Sequence, residues 1–164
     1  MLNQFYAAFA PLSFTVYGLW LIVVQTRHNE WRRSPAHRRR AYAVSLHFAL
    51  PGLMSLLALV DPTSTSVWRV SFALSAAAGA IILSYLQFSP LPSPPGALWQ
   101  VESTASIILY VLVVLVAVAP GAVKSIGAPL RVEAVLLSLI IFLGINVAWA
   151  LMFDEAPSPE HSDA

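Results

Sequence analysis

The chain has 164 residues, of which 58% are hydrophobic and 10% are charged, with a formal net charge of +1 and no cysteine. An ordinary soluble domain has about 25% charged residues, so this composition excludes a water-soluble globular protein. The lack of cysteine also excludes disulfides, thiolate metal ligands and cysteine nucleophiles.

The few charged residues are separated by long apolar stretches. A transmembrane helix needs about 20 mostly apolar residues to cross a hydrocarbon core of roughly 30 Å, and five stretches reach that length. We therefore predict an all-α integral membrane protein, with a single bundle of five transmembrane helices over residues 1–153. An acidic, disordered tail is expected over 154–164. The predicted spans are 5–25, 41–60, 67–88, 98–119 and 132–153.

Local signals distinguish the spans in chain order. No Lys or Arg precedes the first span, so we expect a retained helix rather than a cleaved signal peptide. Pro51 in the middle of the second span predicts a kink, because proline removes a backbone hydrogen bond. The third span is rich in Ala, Ser and Gly, and prolines then bar a helix between the third and fourth spans.

The first loop is strongly basic. Its six arginines are Arg27, Arg32, Arg33, Arg38, Arg39 and Arg40, whereas the opposite side of the predicted bundle carries Arg69, Lys124 and Arg131. The positive-inside rule places the arginine loop in the cytoplasm, with the N-terminus outside and the C-terminus inside. Abundant Ala, Arg and Pro with a single Lys is typical of a high-GC bacterium, so we expect a bacterial cytoplasmic membrane.

The six arginines have two interpretations. They can bind anionic lipid headgroups or an acidic partner surface, since basic residues next to a membrane attract anionic lipids. They can equally serve only to set the topology. A loop of this length has no fold to position base contacts, so we expect no nucleic-acid binding.

Two acids lie near predicted helix starts. Glu102 is near the start of the fourth span, with Gln100 and Thr104 beside it, and Glu133 is near the start of the fifth. The helix dipole stabilises a carboxylate in the first turn, which is the structural explanation for both. The functional explanation makes them the two mouths of a cation or proton pathway.

A few uncharged polar residues lie deeper in the spans. His47 is four residues before Pro51, where it can bond a freed carbonyl, bond across the bundle or relay protons. Asn146 is expected to hydrogen-bond another helix. Ser71, Ser75 and Gly79 repeat every fourth residue, which indicates either a close helix contact or a hydroxyl-lined pore wall.

Motifs for catalysis and cofactor binding are missing. The chain has no H-E-x-x-H, no G-x-S-x-G and no phosphate-binding loop. We expect neither an enzyme nor a metal or cofactor site.

Two functional hypotheses remain. The first is an oligomeric channel or transporter for an ion or small solute, because a small subunit can build a pore around a shared symmetry axis. Its pathway candidates are Glu102, Glu133, His47, Asn146, Ser71 and Ser75. The second is a structural or accessory subunit of a larger membrane complex, docked through small-residue helix faces and the arginine loop.

Overall fold

A computed structural model gives the structure of residues 2–153, except residues 33, 62, 63, 91–96 and 126. For Glu30 it describes the backbone but not the side chain. The predicted acidic tail and Arg33 therefore lie outside the described residues.

The described residues form six α-helices and no strand. Five of the helices are long and apolar enough to cross a membrane, which confirms the predicted fold class and an integral membrane protein. The helices are α1 (Leu2–Thr26), α2 (His28–Trp31), α3 (Pro35–Val60), α4 (Thr65–Phe88), α5 (Ala97–Val118) and α6 (Pro129–Met152), with a 3-10 turn at Pro120–Val123 before α6.

Helix α3 begins six residues before the predicted span start at Ala41. Ser34 caps it, because its hydroxyl accepts a hydrogen bond from the His37 amide, and Pro35 occupies a position where proline favours a helix. The polar sequence before Ala41 concealed this start, since an apolar stretch marks only the lipid-embedded part of a helix. Arg38, Arg39 and Arg40 consequently lie on α3 instead of in a loop.

Pro51 lies within α3, and the helix continues through it to Val60. The serine hydroxyls around it are bonded to α3 carbonyls. Ser13 of α1 donates to the Phe48 carbonyl at 2.8 Å, and Ser55 donates to the Pro51 carbonyl at 2.8 Å. The helical partner that Pro51 removes is that of the His47 carbonyl, so these two hydroxyls add hydrogen bonds at neighbouring positions and do not replace the lost one.

Helices α3 and α6 occupy the middle of the bundle. The five long helices contact one another in the cyclic order α1, α3, α4, α5 and α6, and α3 also packs directly on α6 across this ring. Most of the apolar stretch of α3 is buried, whereas α1 and α4 present most of theirs to the outside. The bundle interior is therefore filled by a helix pair.

The two ends of the bundle differ in charge. The arginine end holds the N-terminus of α3 and the C-terminus of α4, which are joined because Arg39 donates to the Ser89 carbonyl at 2.9 Å. The opposite end holds the N-termini of α1 and α6, where the Tyr6 hydroxyl donates to the Leu130 carbonyl at 2.8 Å.

Arg69 joins two helices at the opposite end. Its guanidinium donates to the carbonyls of Ala117 and Val118, each at 2.8 Å, and so satisfies the C-terminus of α5. Hydrogen bonds from a charged donor are among the stronger ones, so we expect Arg69→Gln to lower the free energy of unfolding by about 1–2 kcal/mol. Chemical denaturation in detergent measures this loss. Lys124→Gln removes an exposed charge and is expected to have little effect; equal losses in both variants would contradict the assignment.

Candidate functional site

Glu133 is a carboxylate inside the bundle. Its side chain is 0% exposed, and neither carboxylate oxygen has a hydrogen-bond partner among the described residues. Burying an ionised group without a partner is strongly unfavourable, and such groups in membrane helices mark ion and proton pathways. Of the residues predicted from the sequence, Glu133 therefore has the most distinctive environment.

The helix dipole does not account for Glu133. Because α6 begins at Pro129, Glu133 is the fifth residue of the helix and lies beyond the first turn. Glu102 is likewise the sixth residue of α5, which begins at Ala97. The stabilising effect of the dipole falls off within the first turn, so the structural explanation offered for both acids is wrong.

Aromatic side chains surround the first turns of α6. Tyr6 of α1 is almost fully buried and donates its hydroxyl proton to the Leu130 carbonyl, three residues before Glu133 on α6. The Tyr6 ring packs edge-to-face on Phe72 of α4, with ring centres 6.1 Å apart. Three helices thus enclose the end of the bundle in which Glu133 lies.

His47 bonds across the bundle from the middle of α3. Its Nδ1 lies 2.6 Å from the Ala43 carbonyl, and its Nε2 lies 2.7 Å from the Ser106 hydroxyl on α5. The ring is 2% exposed. Of the alternatives that the sequence left open, the structure therefore shows a hydrogen bond to a neighbouring helix.

The Ser106 hydroxyl proton has two possible acceptors. The oxygen lies 2.7 Å from His47 Nε2 and 2.7 Å from the Glu102 carbonyl. Because a carbonyl only accepts, His47 Nδ1 carries a proton and donates it to Ala43. A neutral His47 then accepts from Ser106 at Nε2, whereas a protonated His47 donates to Ser106, which turns its own proton to Glu102.

This arrangement satisfies both charge states of His47 without moving a heavy atom. Rotation of one hydroxyl exchanges the two hydrogen-bond patterns. A buried histidine with such a partner can take up and release a proton while its ring stays in place. The pair can hold either charge state of the imidazole, which is one requirement of a proton relay.

Close packing fixes His47 at the α3–α6 crossing. A Cβ added at Gly144 would lie 2.5 Å from the His47 Cβ, so only glycine permits this approach. On α5, Tyr110 donates to the Leu46 carbonyl at 3.0 Å and places its ring 6.2 Å from the His47 ring. These contacts leave His47 little room to change rotamer.

An apolar layer separates Glu133 from His47. Gly144, which contacts His47, is 11 residues beyond Glu133 on α6, a distance of roughly 16 Å at the ordinary rise of an α-helix. Leu137, Ile140 and Ile141 lie between them on α6 and are all buried. Among the described residues, the His47 ring bonds Ala43 and Ser106 and the Glu133 carboxylate has no hydrogen-bond partner, so neither group reaches across this layer.

Glu102 is only partly buried and lies near the arginine end. Arg40 is close enough to attract its carboxylate and also places its guanidinium 5.4 Å from the centre of the Trp99 ring. Thr104 is exposed and accepts a hydrogen bond from Gln87 of α4 at 3.1 Å. Glu102 and Thr104 therefore have different environments and do not form one cluster.

The remaining pathway candidates are not brought to the interior polar groups. Asn146 is exposed on α6 and donates to the Phe142 carbonyl of its own helix, so it does not form the expected bond to another of the described helices of this chain. Ser71 donates to Val67 of its own helix and is half-buried, as is Ser75. In the same stripe, Gly79 is buried against Leu50 and Tyr110, which makes it an internal packing contact.

The described arginines of the first loop have different surroundings. Arg39 bonds the carbonyls of Ser89 and Pro90, and Arg40 lies over Trp99. Arg32 and Arg38 are exposed and line one cavity at the arginine end. Arg27 is also exposed.

Sequence reasoning missed Ser106, Tyr110 and Tyr6. Serine and tyrosine are common in membrane helices, and their roles depend on which helix they face. Ser106 is one turn after Glu102, which is the one sequence signal that could have drawn attention to it.

No family model matches the chain, and comparisons with curated proteins and with solved structures find no match.

Proposed function

We propose that the protein is a small channel or transporter for protons or another small cation. The observation that carries this proposal is the fully buried Glu133, whose carboxylate oxygens have no partner among the described residues. A proton or cation that reaches Glu133 neutralises its charge, which removes the main cost of its burial. An anion or a neutral solute would not neutralise the Glu133 carboxylate and so would not lower the cost of its burial.

The His47–Ser106 pair supports proton transfer at the centre of the bundle. It accommodates the neutral and the charged imidazole with the same heavy-atom positions. Glu133 lies towards the opposite end and Glu102 towards the arginine end, so acid–base groups occur at three depths. We propose that one pathway passes Glu133 first, then the His47–Ser106 pair, and then Glu102.

The apolar layer around Leu137 and Ile140 supports a gated mechanism. A hydrophobic constriction excludes water and blocks ions until it widens. The direct packing of α3 on α6 fills the interior, so passage requires these two helices to move relative to each other. This favours a transporter or a closed channel over a permanently open pore.

The proposed pathway runs through each protomer. Glu133, His47 and Ser106 are buried within a single chain, which supports an internal route instead of a pore on a symmetry axis. Association into a homo-oligomer remains part of the proposal, because a thin bundle is stabilised by neighbours. We further propose a bacterial cytoplasmic membrane with the arginine end inside, which the distribution of Lys and Arg supports.

Proton flux into liposomes tests this function. Purified protein is reconstituted with a pH-sensitive dye inside the vesicles, and a potassium diffusion potential drives uptake. We expect Ser106→Ala to slow the flux, because His47 loses the partner that serves both of its charge states. Loss of one buried hydrogen bond costs about 1–3 kcal/mol, which corresponds to a decrease of roughly 5-fold to 150-fold when this step limits the rate.

Ser103→Ala is the matched control. Ser103 is also buried on α5, but its hydroxyl bonds only the Gln100 carbonyl of its own helix. We expect this variant to keep the wild-type flux. Equal slowing in both variants would indicate a general effect on α5 and contradict the relay, and wild-type protein without flux would overturn the proposed function.

An accessory subunit of a membrane complex is the second candidate. The exposed Asn146 favours it, because an amide facing outward from a transmembrane helix can bond a neighbouring protein. Gly79 and Gly144 no longer support it, since both pack inside the chain. A monomer that shows no flux and is recovered with one fixed partner after mild detergent extraction would favour this role.

A further inference from the structure

A cavity of about 210 Å³ lies at the arginine end, between the end of α1, the short helix α2 and the start of α3. Its polar lining is basic: of the described side chains that form it, none is acidic. The side chains that line it include His28, Trp31, Arg32, Arg38, Tyr42 and Ser45.

Contacts between buried aromatic residues fix the positions of the helices that line the cavity. Trp31 of α2 is 4% exposed, and its ring lies 5.7 Å from the Trp20 ring and 6.4 Å from the His37 ring. Trp20 is fixed in turn, because its indole nitrogen donates to the Ala41 carbonyl and to the Ser45 hydroxyl. These ring contacts fix α2 beside α3. Because Arg32 follows Trp31 and Arg38 follows His37, they also fix the backbone positions of the two arginines.

The two cavity arginines differ from Arg39 and Arg40. Neither Arg32 nor Arg38 has a side-chain hydrogen bond or ion pair within the described part of the chain, and both are exposed. Arg39, by contrast, uses its guanidinium on the carbonyls of Ser89 and Pro90. The structure thus separates arginines that hold helices together from arginines that are available to a ligand.

We propose that this cavity binds the phosphate group of an anionic phospholipid. Two guanidinium groups line this one cavity, and arginine binds a phosphate through charge-assisted, paired hydrogen bonds. Val24 and the exposed ring of Tyr42 continue the lining as an apolar surface on which an acyl chain can lie. Trp and Tyr beside basic residues are typical of the headgroup level of a membrane. A free phosphate ion can also bind the two guanidinium groups, but it has no acyl chain to contact the apolar surface.

Native mass spectrometry of the full chain tests this site. Detergent-purified protein is mixed with phosphatidylglycerol or with phosphatidylcholine, and the retained lipid is measured. We expect selective retention of phosphatidylglycerol, and an affinity about tenfold lower in Arg32→Gln and in Arg38→Gln, because each loses a charge-assisted contact. Arg39→Gln removes the same charge from the same end and is expected to retain the lipid.

Three results would overturn the assignment. Equal losses in all three variants would show attraction to the general charge of this end. Displacement of the lipid by inorganic phosphate at an equal concentration would assign the cavity to a free phosphate. Equal retention of the two lipids, both of which carry a phosphate, would show that the site does not recognise the net negative charge of an anionic phospholipid. Size-exclusion profiles check that each variant is folded.

Discussion

Glu133→Gln is expected to abolish proton flux in reconstituted liposomes, to the background of protein-free vesicles. Glutamine keeps the shape and polarity of the side chain but can neither release a proton nor neutralise a cation. If every transferred charge passes this position, the loss is complete and does not depend on the driving force. The dye assay described for Ser106 measures the flux.

The folding of Glu133→Gln provides a second measurement. An ionised carboxylate without a partner destabilises a buried site, and an amide avoids the cost of burying that charge. We therefore expect an unfolding temperature in detergent equal to or higher than that of the wild type, even though transport is lost. A residue needed only for folding would show the reverse pattern.

Ser138→Ala is the control for this experiment. Ser138 lies on the same helix, is half-buried and bonds only the Ala134 carbonyl of α6, so its loss should leave transport unchanged. Full flux in Glu133→Gln would exclude Glu133 from the pathway and remove the observation on which the proposed function depends.

Gly144→Ala is expected to destabilise the bundle by about 1–3 kcal/mol, as overpacking of a well-filled interior usually does. The added methyl group would lie 2.5 Å from the His47 Cβ and 3.1 Å from the Phe48 ring. The first of these atoms is attached directly to the α3 backbone, so relief requires the two central helices to separate. Thermal unfolding in detergent measures the change.

Gly18→Ala provides a matched comparison. Gly18 also lies within a long helix, but nothing is within 4 Å of an added Cβ. Replacing glycine by alanine in an open helix position usually stabilises the helix by about 0.5–1 kcal/mol, so we expect the opposite sign. If both variants change stability in the same direction, the tight α3–α6 contact is not the cause.

The fold could be predicted from the distribution of charge because a bilayer imposes a simple requirement. Each span must be apolar over about 20 residues, and the chain shows this directly. The helix ends were harder to predict from the sequence, because the start of α3 after Ser34 and the start of α6 at Pro129 both lie outside the apolar stretch. That difference changed the interpretation of Glu133.

The candidate site could be predicted only in part. Glu133 and His47 were identified because ionisable residues are rare in the spans, whereas Ser106 and Tyr6 were missed because hydroxyl groups are not. Which groups meet depends on how each helix is rotated about its axis, and sequence spacing does not fix that rotation between helices. Asn146 shows the same limit, since its amide faces outward and bonds its own helix.

The pairing of α3 with α6 has a consequence for biogenesis. During synthesis α3 is the second long helix to be made and α6 the fifth, yet these two form the centre of the bundle. Until α6 arrives, the α3 surface around His47 lacks its closest neighbour. Chains released from the ribosome before α6 is made therefore leave this surface of α3 without the helix that packs on it.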